Sequence, residues 1–129
     1  MYNQILPNLF LGDLQDALDF DKAYPNGMII VVLEQRPPNE PFRSIHYPIL
    51  SSSSHVHSKQ LDRLNKIIDS IISSNIPLLV HCAAGIERSP LVIVYYLVKT
   101  KGLTLEDAYT FVKKIRPQIS DRSNWLKID

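Results

Sequence analysis

Residues 81–90 read His-Cys-Ala-Ala-Gly-Ile-Glu-Arg-Ser-Pro, and this stretch decides both the fold and the chemistry that we predict. It follows a short apolar run at residues 77–80 and leads into an apolar stretch that begins with Pro90. This order predicts a strand, a short loop and the start of a helix. In such a loop the backbone N–H groups of residues 83–88 would point inward, and the helix N-terminus would add partial positive charge. Both features are typical of an anion site.

The loop also carries a nucleophile and a fixed cation. Cys82 is the only cysteine of the chain, and Arg88 has the planar guanidinium that matches phosphate oxygens. The positive field of the loop favours the reactive thiolate. Gly85 lets the backbone approach a ligand closely, and Pro90 suits a first helical turn, where no N–H is needed. A lone cysteine or arginine is usually structural, but the combination predicts phosphoryl transfer through a cysteine.

Composition narrows the class of protein. The 129 residues suffice for one domain, which we place over residues 1–129. The 14 Lys and Arg residues nearly balance the 13 Asp and Glu residues, so no general affinity for nucleic acid or membranes is implied. One cysteine excludes an internal disulfide framework, and the sequence shows neither a signal-peptide pattern nor an apolar run long enough to cross a bilayer. We therefore expect a cytoplasmic monomer.

Strand patterns and helix patterns alternate along the sequence. Residues 28–33 are apolar and rich in β-branched side chains, which predicts a strand covered on both faces. Ser58 is expected to cap a helix with one apolar face, and residues 90–101 predict a buried helix that Gly102 closes. The alternation predicts an α/β fold with a central, mainly parallel sheet flanked by helices, and it places Cys82 at a carboxyl end of the sheet.

Shorter patterns complete the prediction. The residues around Pro7 read as edge strands, Asp13 could cap a short helix through Leu18, and residues 44–49 can form another strand. Thr104 begins a variant capping box for a last helix. The expected buried stripe of that helix is Ala108, Phe111, Val112 and Ile115.

The stretch His-Cys-x-x-Gly-x-x-Arg-Ser-Pro resembles the phosphate-binding loop of the cysteine-dependent protein tyrosine phosphatases, in their dual-specificity branch. Further similarity lies in residues 5–12, Asp16-Ala17, residues 28–33 and Arg116-Pro117, so the resemblance covers nearly the whole sequence. It implies a compact dual-specificity-phosphatase-like domain. Such a domain hydrolyses phosphomonoesters of proteins, with phosphotyrosine and phosphoserine or phosphothreonine reaching a shallow pocket.

The resemblance also implies a role for each loop residue. Cys82 would attack phosphorus and form a phosphocysteine, which water then hydrolyses. Arg88 and the loop amides would stabilise the charge on the transferred group. His81 would orient the loop, and Ser89 would donate a hydrogen bond to the sulfur as it leaves. No metal or cofactor is required. The phosphate-binding residues would be Ala83, Ala84, Gly85, Ile86, Glu87 and Arg88.

One catalytic position departs from the family pattern. Where the family has a general-acid aspartate, this protein has Ser51–Ser54, and a serine hydroxyl cannot protonate a leaving alkoxide near neutral pH. Candidate substitutes are Glu87 inside the loop and two histidines, His55 and His57, since an imidazole titrates near neutral pH. Asp62 lies too far into its helix. Phenolic leaving groups would then be favoured over alkoxides, and the two histidines lack the further ligands that a metal site needs.

Two alternatives remain open. One is an RNA 5′-triphosphatase of the cysteine-phosphatase type, whose good leaving group tolerates loss of the aspartate. It needs a basic track, for which the candidates are Lys99, Lys101, Lys113, Lys114 and Arg116. The other is a catalytically weak phosphate-binding module, although binding alone does not require a thiol. Inositol phosphates are disfavoured because Ala83, Ala84 and Glu87 stand where enzymes for those substrates tend to carry lysines.

Overall fold

The computed structural model describes residues 1–49 and 55–127. Its strands are β1 (Asn3–Leu6), β2 (Leu9–Gly12), β3 (Met28–Val31), β4 (Ser44–His46), β5 (Val56–His57), β6 (Leu78–His81) and β7 (Leu126–Lys127). Its α-helices are α1 (Leu14–Ala23), α2 (Ser58–Ser73), α3 (Arg88–Lys101) and α4 (Leu105–Ile115), and a short 3₁₀ helix follows at Ser123–Trp125.

The main sheet has the strand order β1-β2-β6-β3-β4 within the described residues. Strands β2, β6, β3 and β4 run parallel, and only β1 is antiparallel, paired with β2 at one edge. Strand β6 lies between β2 and β3, with Val80 opposite both Leu11 and Ile30. The predicted α/β fold with a mainly parallel sheet is confirmed, and β6 delivers residues 81–90 to the carboxyl edge of the sheet.

Apolar side chains pack on both faces of the sheet. Leu78 and Val80 belong to a large cluster that includes the buried face of α3, whereas Leu79 packs with Phe10 and Phe20 on the opposite face. Helix α3 is buried from Ser89 to Leu97, as its nearly all-apolar sequence predicts. Across residues 1–49 and 55–127, no helix is long and apolar enough to cross a membrane.

Helix ends follow local capping chemistry. Asp13 caps α1 in a reciprocal capping box with Asp16, and α1 continues to Ala23, beyond the predicted end at Leu18. Gly102 closes α3 as predicted, with φ of 69°. The Thr104 hydroxyl caps α4 by accepting the Asp107 N–H at 3.0 Å. These caps set where α1 and α4 begin.

Two helix predictions are wrong in detail. Ser58 is the first residue of α2 rather than its cap, because extended backbone continues through strand β5 and makes His57 the N-cap. In α4 the predicted core residue Phe111 is 39% exposed, whereas Tyr109 is buried. The Tyr109 hydroxyl accepts the backbone N–H of Arg122 at 3.1 Å, so the helix turns the tyrosine toward the C-terminal segment.

Strand limits also differ from the prediction. Strand β4 ends at His46 rather than residue 49, because the regular register with β3 is lost there. The Tyr47 and Ile49 N–H groups donate to the Val31 and Val32 carbonyls, which belong to consecutive rather than alternate residues. Strand β2 is paired on both sides, so only β1 of the two strands around Pro7 is an edge strand. The small β5–β7 sheet was not predicted, since two residues are too few for a recognisable alternation.

Candidate active site

The loop after β6 turns its carbonyl groups outward. Each backbone carbonyl from Ala83 to Glu87 accepts a hydrogen bond from an atom outside the loop or from the helix that follows. In sequence order the donors are the Leu14 N–H (3.0 Å), the Arg116 side chain for both Ala84 (3.4 Å) and Gly85 (2.9 Å), the Ser120 N–H (2.8 Å) and the Leu91 N–H (3.3 Å).

The N–H groups of the loop consequently face its interior. In a peptide unit the C=O and the N–H point in opposite directions, so outward carbonyls aim the amides of the next residues inward. Within the described residues, the backbone N–H groups of residues 83–88 donate no hydrogen bond. A ring of unused donors at the start of a 14-residue helix is an anion-binding geometry.

Gly85 allows the loop to close over the sheet. Its φ of +67° lies in the left-handed region, and a Cβ here would stand 2.6 Å from the Gly12 carbonyl oxygen and 2.7 Å from Arg116 Nη2. The sequence predicted that the backbone at Gly85 approaches a ligand closely. In the structure the close neighbours of Gly85 are instead β2 and Arg116, which lies beneath the loop. Any side chain would push the loop off its support.

Cys82 and Ser89 meet at the floor of the loop. The Cys82 Sγ lies 3.2 Å from the Ser89 Oγ, with both residues buried. Cys82 directly follows β6, and Ser89 is in the first turn of α3. When the sulfur is a thiolate it can only accept, so the Ser89 hydroxyl is then the donor.

His81 supports the loop from below. Its imidazole is completely buried, with Nδ1 3.1 Å from the Cys82 carbonyl oxygen and Nε2 3.0 Å from both carboxylate oxygens of Glu40. Both partners are acceptors, so the two bonds form together only when both ring nitrogens carry hydrogen. This geometry agrees with the orienting role expected of His81.

Glu40 completes the support beneath His81. Burial raises the pKa of the Glu40 carboxyl, but hydrogen bonds from His81 and Ser44 outweigh that effect, and the pKa lies below its usual value. The ionised carboxylate therefore belongs to the folded state. Glu40 was not predicted from the sequence, because it lies in a turn-rich loop without periodicity.

Arg116 fastens the loop to the N-terminal segment. The arginine is buried, and besides the two loop carbonyls its Nη1 donates to the Met1 carbonyl oxygen at 2.7 Å and to the Asn3 Oδ1 at 2.8 Å. The resemblance pointed to this residue without assigning it a role. In the structure it is a support of the loop.

The remaining candidate residues occupy different positions around the loop. Arg88 is half-buried at the start of α3, and its guanidinium has no hydrogen bond or ion pair with any other described residue. The Glu87 carboxylate is paired with Arg122 at 2.6 Å. His55 and His57 are exposed on either side of the buried Val56, and Ser51–Ser54 lie outside the described residues.

The other charged residues considered in the sequence do not assemble into a second site. Asp62 accepts a hydrogen bond from the Tyr95 hydroxyl at 2.7 Å. Arg116 is buried, so it does not belong to an exposed basic track, and Lys99 lies in the last turn of α3, about 16 Å along the helix from the loop. In the part of the protein that is described, no group of three or more His, Cys, Asp or Glu side chains could hold a metal ion.

Comparison with known proteins agrees with this geometry. Residues 9–128 match the dual specificity phosphatase catalytic domain. Human dual specificity protein phosphatase 8 is 35% identical over 128 residues, which are 95% of this chain and 20% of that protein. The putative tyrosine phosphatase 123R of Invertebrate iridescent virus 6 is 30% identical over 129 residues, covering 96% of this chain and 86% of the viral protein.

The fold is shared with solved structures. The crystal structure of human DUSP28 superposes with a TM-score of 0.78 at 23% identity, over 96% of this chain and 86% of that one. The chain spans about a fifth to a third of the length of the human relatives that it matches. The family match extends over most of the sequence and includes the loop around Cys82. The chain therefore belongs to the dual-specificity phosphatase family, within the cysteine-dependent protein tyrosine phosphatases.

Proposed function

We propose that this protein hydrolyses phosphomonoesters of proteins through a phosphocysteine formed on Cys82. The observation that carries the proposal is the loop of outward carbonyls and inward N–H groups around a buried thiol. Such a ring holds the three non-bridging oxygens of a phosphoryl group and stabilises the charge that spreads over them during transfer.

Two displacements at phosphorus make up the reaction. In the first, the Cys82 thiolate forms an S–P bond while the ester P–O bond breaks, and the leaving oxygen takes a proton from a general acid. In the second, water attacks phosphorus and gives a proton to the group that acted as the acid, the S–P bond breaks, and inorganic phosphate and the thiolate are released. The Ser89 hydroxyl, whose Oγ lies 3.2 Å from the sulfur, donates a hydrogen bond to the thiolate as it leaves.

Arg88 supplies the charged contact to phosphate. Arg88 is the first residue of α3 and directly follows the loop, and two parallel N–H groups of a guanidinium match two phosphate oxygens. His81 and Glu40 act beneath the loop as positioning residues, since neither reaches its interior. Cys82 and Arg88 therefore contact the substrate, whereas His81 and Glu40 hold the loop in position.

The general acid is proposed among three residues. His55 and His57 adjoin Ser51–Ser54 in sequence and are exposed, which suits a group that meets a leaving oxygen. Glu87 is held by Arg122, and this pairing favours a structural role for its carboxylate. The histidines are therefore the better candidates. A pH–rate profile that loses its basic limb in His55→Asn or His57→Asn would identify the acid.

Phosphotyrosine is the proposed preferred substrate. A phenolate leaves more easily than an alkoxide, so a site without the family's aspartate should favour phenolic esters over phosphoserine or phosphothreonine. The viral relative is named a putative tyrosine phosphatase, which agrees with this preference. We further propose that the enzyme is a monomer in the cytoplasm, where a reducing environment keeps its thiol free.

Rates on three substrates test the proposal. Phosphate release is measured from a phosphotyrosine peptide, the same peptide with phosphoserine, and an RNA with a 5′-triphosphate, each with wild type and Cys82→Ser. We expect the phosphotyrosine peptide to react fastest and Cys82→Ser to abolish release while still binding inorganic phosphate. Faster release from RNA would favour the triphosphatase, and phosphate binding without turnover would favour a binding module.

A further inference from the structure

The phosphate loop contains a carboxylate of its own. Glu87 is the N-cap of α3, where side-chain oxygens usually accept the free N–H groups of the first helical turn. Its carboxylate makes no such capping bond. A carboxylate that turned inward would bind the same amides as phosphate and would repel a second anion. In the structure the Glu87 carboxylate makes an ion pair instead of a capping bond.

Arg122 binds the Glu87 carboxylate in an ion pair. Its Nη2 lies 2.6 Å and its Nε 2.8 Å from the same oxygen, Glu87 Oε2. The guanidinium carbon is 5.3 Å from the centre of the Trp125 ring, and Trp125 is buried. The backbone N–H of Arg122 donates to the buried Tyr109 hydroxyl. Contacts of both its guanidinium and its backbone thus fix the position of this arginine.

We propose that Arg122 is a positioning residue that keeps the Glu87 carboxylate out of the phosphate loop and neutralises its charge there. The inference rests on the proposed function, because it concerns the same phosphate site. Without Arg122, the carboxylate would be free to turn toward the loop amides, and its charge would oppose a phosphate dianion. Phosphate affinity would fall although every residue that contacts phosphate is still present.

A double-mutant cycle separates this role from a merely structural one. Affinity for inorganic phosphate is measured by calorimetry on wild type, Arg122→Ala, Glu87→Ser and the double variant. We expect Arg122→Ala to weaken binding by about three- to tenfold, and the double variant to bind within about twofold of Glu87→Ser. The decrease in phosphate affinity caused by Arg122→Ala should become smaller as the ionic strength rises. Phosphate binding is measured rather than turnover, because Glu87 is also a candidate general acid and its substitution would change the rate for that reason alone.

A matched control removes an ion pair elsewhere. Arg43 pairs with Asp21 and also donates to the Gly27 carbonyl, before the start of β3 and thus at the end of the sheet away from the loop. Arg43→Ala should leave phosphate affinity unchanged. This variant shows how much the loss of a similarly exposed ion pair changes phosphate affinity when the pair is remote from the loop.

Each other outcome has a definite meaning. If wild type does not bind phosphate, the proposed function fails. If wild type binds but Arg122→Ala binds equally well, the inference about Arg122 is wrong and the function stands. Weak binding that Glu87→Ser does not restore would show that Arg122 only braces the C-terminal segment, and it would also overturn the inference.

Discussion

Gly85→Ala is the sharpest test of how the phosphate loop is built, because Gly102 provides a matched control. The two glycines have nearly equal φ values, +67° and +69°. A Cβ at Gly85 would meet the Gly12 carbonyl oxygen at 2.6 Å, whereas a Cβ at Gly102 would have nothing within 4 Å. The pair therefore separates the cost of the left-handed backbone from the cost of the close approach.

The expected magnitudes follow from these contacts. Left-handed backbone costs an alanine about 1–2 kcal/mol at either position. At position 85 the loop must also move, which weakens the 2.9 Å hydrogen bond from Arg116 to the Gly85 carbonyl. A bond to a charged group contributes about 1.5–3 kcal/mol. We expect Gly85→Ala to lower the free energy of unfolding by about 2.5–5 kcal/mol and Gly102→Ala by about 1–2 kcal/mol.

Urea unfolding measures the stability, and calorimetric titration with inorganic phosphate measures the binding. Gly85→Ala should bind phosphate at least about tenfold more weakly than wild type, because the loop amides no longer converge. Gly102→Ala should bind like wild type. Equal destabilisation by the two substitutions, or normal phosphate affinity in Gly85→Ala, would refute the reasoning that β2 and Arg116 hold the loop closed.

Three further substitutions test the supports and contacts of the loop. Glu40→Gln should cost about 2 kcal/mol of stability near neutral pH. The pKa of Glu40 in the folded state lies below its usual 4.5, so the stabilisation by its carboxylate is complete above pH 4.5 and is lost as the pH falls through the folded-state pKa. The difference in unfolding free energy between wild type and Glu40→Gln, measured in urea, should therefore become smaller in acid. A difference that does not change with pH would contradict this prediction. Arg88→Lys should lower kcat/KM on a phosphotyrosine peptide by at least about a hundredfold, because an ammonium cannot make the two parallel contacts; near-normal kinetics would exclude Arg88 from the site. Ser89→Ala should slow hydrolysis of the phosphocysteine more than its formation, so a burst of the phenolic product should precede the steady state; an unchanged progress curve would remove the proposed donor.

The sequence predicted most of what local chemistry decides. The apolar β-branched run at residues 28–33 indicated a buried parallel strand, and the change of pattern at residues 81–90 indicated the strand, loop and helix around Cys82. Asp13 and Gly102 marked helix ends correctly, since capping depends on a few neighbouring residues. The position of the cysteine loop at the carboxyl edge of the sheet was also predictable, because the loop directly follows a strand.

The sequence did not predict contacts between residues that lie far apart along the chain. Glu40 meets His81 after 41 positions and Arg122 meets Glu87 after 35, and neither pair leaves a periodic signal. Strands β5 and β7 exist only because they pair with each other. Phe111 does not have its predicted place in the core, because Ala108, Tyr109 and Val112 form the buried face of α4. These features depend on tertiary packing rather than on local pattern.

Trapping of the covalent intermediate tests the central claim most directly. Wild type and Ser89→Ala are mixed with a phosphotyrosine peptide, quenched in acid within the first turnover, digested and analysed by mass spectrometry. We predict phosphate on the peptide that contains Cys82, in larger amount for Ser89→Ala, and none in Cys82→Ser. Turnover without any phosphate on Cys82, or with phosphate on another residue, would contradict the account.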